Sequence, residues 1–351
     1  MLVSAGEKPD VVEKRHTNGA LRVRKEVLVE PSGHTIGHGK ETKYHPNGKM
    51  AEVRTYDHGN MEGPWASWND SGIKTGEGNY HENLREGVET RYLADGSKFS
   101  ETSYLAGLRH GRQTEWYSNG HKAREANYDH GRFHGESSEW YFDGSPKVVQ
   151  HFDHGEHHGL ETRWYKIGQK QLEVNYDRGV KHGKLHEWFN TGADKLIAEY
   201  DHGNPTGKFI ESYSNGNKKV DGQYTAGRQD GLWLEWYDDQ IRSSERQFVE
   251  GRPEGLQTYW HKNGQKKLEV TYHRGRREGV WTEWYENGQR RSTGRYVRDN
   301  PDGETKFWYE SGKPWSTKSY AKGIKHGNWL ELDEDGKPIL QQKYENGILV
   351  E

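Results

Sequence analysis

The residues with the plainest capacity for chemistry are the histidines. The chain has 20 of them, and they gather in short connectors such as Asp129-His130-Gly131-Arg132-Phe133-His134-Gly135 and Asp153-His154-Gly155-Glu156-His157-His158-Gly159. Neutral imidazole is a good ligand for zinc, nickel or copper. His154, His157 and His158 share one connector, so with His130 and His134 they are the candidate metal ligands. The opposing reading is a polar connector, because related stretches place Glu, Asp or Thr at the same point. That reading is preferred here, and no cofactor is expected. A second pattern is a row of glutamates, among them Glu115, Glu139, Glu187, Glu211, Glu235, Glu283 and Glu331. Paired carboxylates hydrolyse glycosides when they stand about 5 to 9.5 Å apart. A row at repeat spacing falls just outside that range, which makes it a charge ladder on a solvated face. No phosphate loop, nucleophile elbow or Ser/His/Asp set stands outside the repeats, and the chain is not expected to be an enzyme.

The elements that carry these residues follow from composition and period. Of 351 residues only 30% are hydrophobic and 30% are charged, too few apolar residues for a large three-dimensional core. Aromatics still reach 12%, with 14 Trp and 21 Tyr, which argues against disorder. The net charge of -3 lacks the basic excess that binding a phosphate backbone demands, so no nucleic-acid partner is expected. There is no cysteine, which removes disulfides and thiolate chemistry. The start, Met1-Leu2-Val3-Ser4-Ala5-Gly6, has no apolar run of the kind a signal peptide needs, and a soluble, cytoplasmic chain is predicted.

A glycine recurs every 24 residues from Gly39 to Gly327 without one insertion. Numbering each repeat from this glycine as position 0, position 9 is Gly in twelve of thirteen repeats, with Gln240 the exception. Position 20 is Gly in eleven, with Asn83 and Asp299 the exceptions. Asn and Asp are the next-best residues at positive φ, so this column reads as a backbone requirement. Position 17 is Tyr or Phe in every repeat, position 5 is Trp in nine, and thirteen of the fourteen Trp lie at position 2 or 5.

Runs of five to eight residues with aromatics, separated by Asn-Gly as in Trp281-Thr282-Glu283-Trp284-Tyr285-Glu286-Asn287-Gly288-Gln289, predict β-hairpins. A three-residue loop x-Asn-Gly, a type I turn followed by a glycine bulge, puts positions 5, 11, 13, 15 and 17 on one apolar face. It also sets position 4 opposite position 12, pairing Glu139 with Lys147, Glu187 with Lys195, Glu211 with Lys219, Glu283 with Arg291 and Phe307 with Trp315. On this register the even face is mixed and wet. It carries the candidate partner-binding residues Trp65, Trp233, Trp281 and Trp329 at position 2, and Tyr117, Tyr141, Tyr165, Tyr213, Tyr237, Tyr285 and Tyr309 at position 6. The predicted fold is all-β, an elongated single-layer antiparallel sheet of stacked hairpins, about 125 Å long at 4.8 Å per strand. Residues 1–38 form a degenerate capping hairpin with the loop Thr17-Asn18-Gly19, residues 39–326 the twelve full repeats, and residues 327–351 a capping repeat.

The string Gly-x-Trp-x-x-Trp-Tyr-x-Asn-Gly-Gln, followed by Tyr-x-x-Gly-x-x-x-Gly, resembles the bacterial variant of the MORN repeat found in antitoxins of the YwqK type, over residues 39–351. Gln240, Ser212 at position 5, and the eroded first unit depart from it. The resemblance implies stacked hairpins and a binding protein: an antitoxin or immunity protein that occludes a toxin, or a scaffold on a membrane. The chain shows neither a basic cluster nor an amphipathic helix, so membrane association is not expected. Trp-Tyr beside Asn-Gly also resembles choline- and glucan-binding wall repeats, which makes glycan binding a third reading. Pairing of copies through faces or ends is left open.

Overall fold

The computed structural model describes residues 8–351; Met1–Gly6, read above for a leader, lie outside them. All of the described regular structure is β, in antiparallel hairpins taken in chain order, and no helix occurs among the described residues. No helix is long and apolar enough to cross a membrane. The chain divides into two compact units, Met1–Gln169 with Tyr176–Gly179, and Lys170–Asn175 with Val180–Glu351.

The first unit opens with strands Asp10–Arg15 and Leu21–Val29, closed by the predicted loop: the His16 amide donates to Ala20 O at 2.8 Å and the Gly19 amide to His16 O at 2.9 Å. The five extra residues before Gly39 lengthen the next hairpin, which closes through a second three-residue loop with Gly33 at φ +80°. From there to Trp164 the unit repeats one hairpin. In residues 135–158, for example, the Tyr141 amide bonds Ser145 O and the Gly144 amide bonds Tyr141 O, both at 2.9 Å, which is the expected x-Asn-Gly type of loop.

The second unit uses the same plan from Val180 onward. Its connectors show what the three glycine columns do. At Arg274-Gly275 both residues have positive φ, +50° and +81°, the type I′ turn that matches strand twist. Position 19 holds a non-glycine residue with φ between 44° and 50° in all thirteen repeats, so half of every turn is made without glycine. The leading glycine serves a bulge: Val270 pairs Trp281, Tyr272 pairs Arg277, and Gly279 at φ +88° lies in the extra segment between them. The substitutes Asn83, Asp299 and Gln240 hold φ of 68°, 71° and 71°, so those columns are conformational, as the sequence indicated.

One part of the register differs from expectation. Position 5 does pair position 11, as in Trp140 with Pro146, but Glu139 pairs Val148 and leaves Lys147 unpaired. The same shift recurs at Glu187/Trp188 and Glu235/Trp236. Position 4 therefore opposes position 13, and position 12 is bulged out. A one-residue bulge moves everything beyond it to the other face of the strand. Positions 2, 4, 13, 15 and 17 share one face, and positions 1, 3, 5, 11, 14 and 16 share the other. The bulged lysines still reach their glutamates, at 3.0 Å for Lys147–Glu139, 2.8 Å for Lys195–Glu187 and 2.7 Å for Lys219–Glu211. Phe307 and Trp315 meet with ring centroids 5.8 Å apart.

Candidate functional site

The face of positions 2, 15 and 17 is the core. Trp65, Trp233 and Trp329 are only 8%, 3% and 9% exposed, and Trp281 is half-buried. These four were expected on a wet contact face; the bulge carries them inside instead. Trp233 stands among Phe209, Tyr224 and Phe248, with centroids at 5.8, 5.0 and 6.5 Å, and its Nε1–H donates to Gln223 O at 3.1 Å. Small residues on the flanking strands make room: a Cβ on Gly78 would lie 2.9 Å from Trp65 Nε1, and one on Gly294 would lie 3.0 Å from Trp281 Nε1. Position 17 stacks against position 22. In the first unit Tyr128, Phe133, Phe152, His157 and Tyr176 form one continuous ring stack with centroids 4.4 to 5.1 Å apart.

The tyrosines at position 6 have a different task. The Tyr117 hydroxyl donates to Trp140 O at 2.9 Å, Tyr141 to Trp164 O at 2.8 Å, Tyr213 to Trp236 O at 2.9 Å and Tyr237 to Trp260 O at 2.8 Å. Tyr285 and Tyr309 reach Trp308 O and Leu332 O at 2.9 and 2.7 Å, and Tyr165 is half-buried at the same repeat position. Each of the six bonded hydroxyls joins its repeat to the backbone of the following one. Asn at position 8 does likewise, as Asn119 Nδ2 to Phe142 O at 2.6 Å and Asn287 Nδ2 to Glu310 O at 2.8 Å. The sequence carries a signal for this ladder, Tyr-x-Asn at fixed spacing, but its Tyr reads there as a partner-binding residue and its Asn as turn chemistry.

The opposite face presents the half-buried Trp of position 5. The Lys at position 11 of one repeat lies over the Trp of the following one, at 5.6 Å for Lys122 over Trp140 in the first unit and 5.9 Å for Lys266 over Trp284 in the second. The same lysines pair with position 14, as in Lys122–Glu125 at 2.7 Å and Lys266–Glu269 at 2.5 Å. Beside these rows stand bare apolar side chains at position 1. In three consecutive repeats of the second unit, Leu232, Leu256 and Val280 are 48%, 53% and 65% exposed. In the first unit this face holds a shallow groove of about 740 Å³, lined among others by Val53, Pro64, Trp68 and Val88.

One phenol on this face is strongly perturbed. Tyr92 donates its hydroxyl to Glu77, and that bond, together with burial, raises its pKa to about 12. A phenol raised in the folded state gives stability that is complete below pH 10 and is lost as pH rises toward 12. Ultraviolet titration of the folded protein is expected to show Tyr92 ionising after the exposed tyrosines, and Glu77→Gln to advance it. A Tyr92 signal unmoved by Glu77→Gln would refute the assignment.

The histidine candidates regroup. His157 is a core rung, stacked between Phe152 and Tyr176, with Nδ1 3.6 Å from the buried Glu161. It does not join His154 or His158, because the connector turns between them. His154 joins His134 around Asp153, His130 joins His110 around Asp129, and His158 pairs with Asp177 at 3.3 Å. Sequence reasoning missed His38, His58, His110, His182 and His202 as members of such groups. The signal was His at position 23 followed by Asp-His at positions 18 and 19 of the following repeat. The hydrogen bond from His130 holds the Asp129 carboxyl below the usual range.

Residues 37–58, 109–130, 253–274, 277–298 and 301–322 match the family described as MORN repeat variant. Five segments of the chain are thus MORN repeats of the variant type. Each matched segment begins in one connector and ends on the position 19 residue of the I′ turn, so the family pattern contains one complete hairpin of the kind described above. MORN repeats are generally non-enzymatic repeat units. The curated proteins hold no significant match to the chain. Among solved structures the chain is similar to "Crystal Structure of TcdB2-TccC3 without hypervariable C-terminal region", at 11% identity over 95% of this chain and 22% of that one, with a TM-score of 0.16. It is also similar to "Crystal Structure of TcdB2-TccC3-Cdc42", at 11% identity over 98% of this chain and 27% of that one, with a TM-score of 0.12. The chain thus spans about a quarter of the length of these solved chains, and likenesses this slight carry neither fold nor activity to it.

Proposed function

We propose that the chain is a non-enzymatic, protein-binding MORN-repeat scaffold, and that its partner is a protein toxin that it occludes as an antitoxin or immunity protein. The observation that carries the binding reading is the face of positions 1, 3 and 5. Half-buried indoles under lysine, next to bare Leu232, Leu256 and Val280, give the mixture of aromatic anchors, cations and apolar area that protein interfaces use. The indoles of position 2 and the phenols of position 6 are already engaged within the sheet, which leaves this face as the one with anchors to spare. The toxin reading rests on the resemblance of the repeats to the bacterial variant found in antitoxins.

The test uses the full chain and the product of the adjacent gene, co-expressed and purified. Support is a stoichiometric complex that relieves growth arrest by that product and is weakened at least tenfold by Leu256→Glu with Val280→Glu, two exposed substitutions. The protein-binding reading fails if no stoichiometric partner is held, and its placement on this face fails if the double variant binds unchanged. A stable complex with a partner that does not arrest growth rejects the toxin reading alone.

A further inference from the structure

Four clusters among the described residues bring two imidazoles to one carboxylate: His38/Asp57/His58, His110/Asp129/His130 and His134/Asp153/His154 in the first unit, and His182/Asp201/His202 in the second. We propose that each is a binding site for a borderline transition-metal dication of the zinc, nickel or copper class, closing the connector between two neighbouring hairpins.

The geometry suits such an ion. In every cluster the two Nδ1 atoms face the same Asp Oδ1. The histidine from position 23 stands 3.1, 3.2, 3.4 or 3.5 Å from it, in chain order, and the histidine from position 19 stands 2.6 to 2.7 Å from it. Ligands at 2.0 to 2.1 Å around a tetrahedral ion lie about 3.3 Å apart, so the first contact already has the length of a ligand edge. The second is a hydrogen bond that opens by less than 1 Å to admit the ion. The paired rings are inclined at 58° to 68°, with centroids 4.8 to 5.2 Å apart, so both can turn a lone pair to one point without clashing. Two imidazoles and a carboxylate leave one or more positions for water, the donor set of an open site.

The polar-connector explanation is weakened by what the other repeats do. Where position 23 is acidic, its carboxylate accepts the position 19 amide of the following repeat, at 3.0 Å for Glu62, 2.9 Å for Glu86 and Glu278, and 2.6 Å for Glu254, although Asp230 manages only 3.4 Å. His38 and His182 meet the same amide at 3.5 and 3.4 Å, with Nδ1 shared toward Asp57 and Asp201. A histidine here is a poor amide acceptor and a good metal ligand. One connector carries a natural control: His158 stands 3.3 Å from Asp177, but Arg178 occupies position 19 and replaces the second imidazole with a fixed cation.

The test is calorimetric titration of the tag-free full chain, stripped with chelator, with zinc chloride and separately with nickel chloride at pH 7.5. About four ions per chain are expected for the four clusters. Asp57→Asn, Asp129→Asn, Asp153→Asn and Asp201→Asn should each remove one ion or weaken one site at least tenfold, and Arg178→His should add a fifth. Circular dichroism of each variant is expected to be unchanged, since the groups are largely exposed, and zinc is expected to raise the Tm of the wild-type chain but not of the fourfold Asp→Asn variant. Stoichiometry insensitive to the Asp→Asn substitutions, or fewer than one ion per chain at millimolar metal, overturns the proposal.

Discussion

Trp233→Ala is expected to destabilise the second unit by about 3 to 5 kcal/mol, the usual cost of emptying a buried aromatic site. Trp236→Ala, three residues along the same strand, is expected to cost only about 1 kcal/mol, for a half-buried ring and a lysine lying over it. Trp233 is 3% exposed, donates to Gln223 O and touches three other rings. Trp236 lies on the other face, beneath Lys218 at 5.8 Å. Urea denaturation, with amide exchange at Phe209, Tyr224 and Phe248 to localise the loss, distinguishes them. Repeat arrays open locally, so the exchange data carry more weight than a global midpoint. Equal costs, or a larger cost at Trp236, would mean that the bulge at position 12 does not hold in solution and that position 5 belongs to the core.

That contrast also shows where the sequence was legible. Hairpins, loop length and the three glycine columns follow from backbone rules that act over a few residues, and each is found as read. The core face depends on one additional bulged residue. Lys147 and Lys195 sit in a strand and bond the glutamate expected of a directly opposed partner, so ion-pair chemistry alone cannot reveal that the pairing has shifted by one. The better guide was size. Trp at position 2 coincides with Gly at position 15 in Trp65/Gly78 and Trp281/Gly294, and those residues are direct partners in the ladder. A large residue facing a missing side chain is a packing signature, whereas the Trp of position 5 faces Lys or Arg in most repeats. The histidine groups were harder to read, because each draws one ligand from the connector before a hairpin and two from the connector after it, about twenty residues away.

Gly222→Ala supplies the second large effect, since it tests the packing and not the exposure. Gly222 is not a positive-φ glycine, so its lack of a side chain has a packing reason. A Cβ there would lie 2.5 Å from Trp233 Cδ2, 2.6 Å from Cε2 and 2.9 Å from Cε3. The indole cannot simply retreat, because Phe209 is stacked on it at 29° and Phe248 meets it edge-on. Overpacking of this kind costs about 1 to 3 kcal/mol, and the ring is expected to turn or leave, breaking its bond to Gln223 O. The decisive measurement is the double variant with Trp233→Leu. If methyl and indole compete for one space, Gly222→Ala becomes nearly harmless once the indole is gone, and the two costs are non-additive by at least about 1 kcal/mol. Strict additivity would show that the strand bearing Gly222 can move away from Trp233, and with it would go the argument that glycine on the inner face is what makes room for this indole.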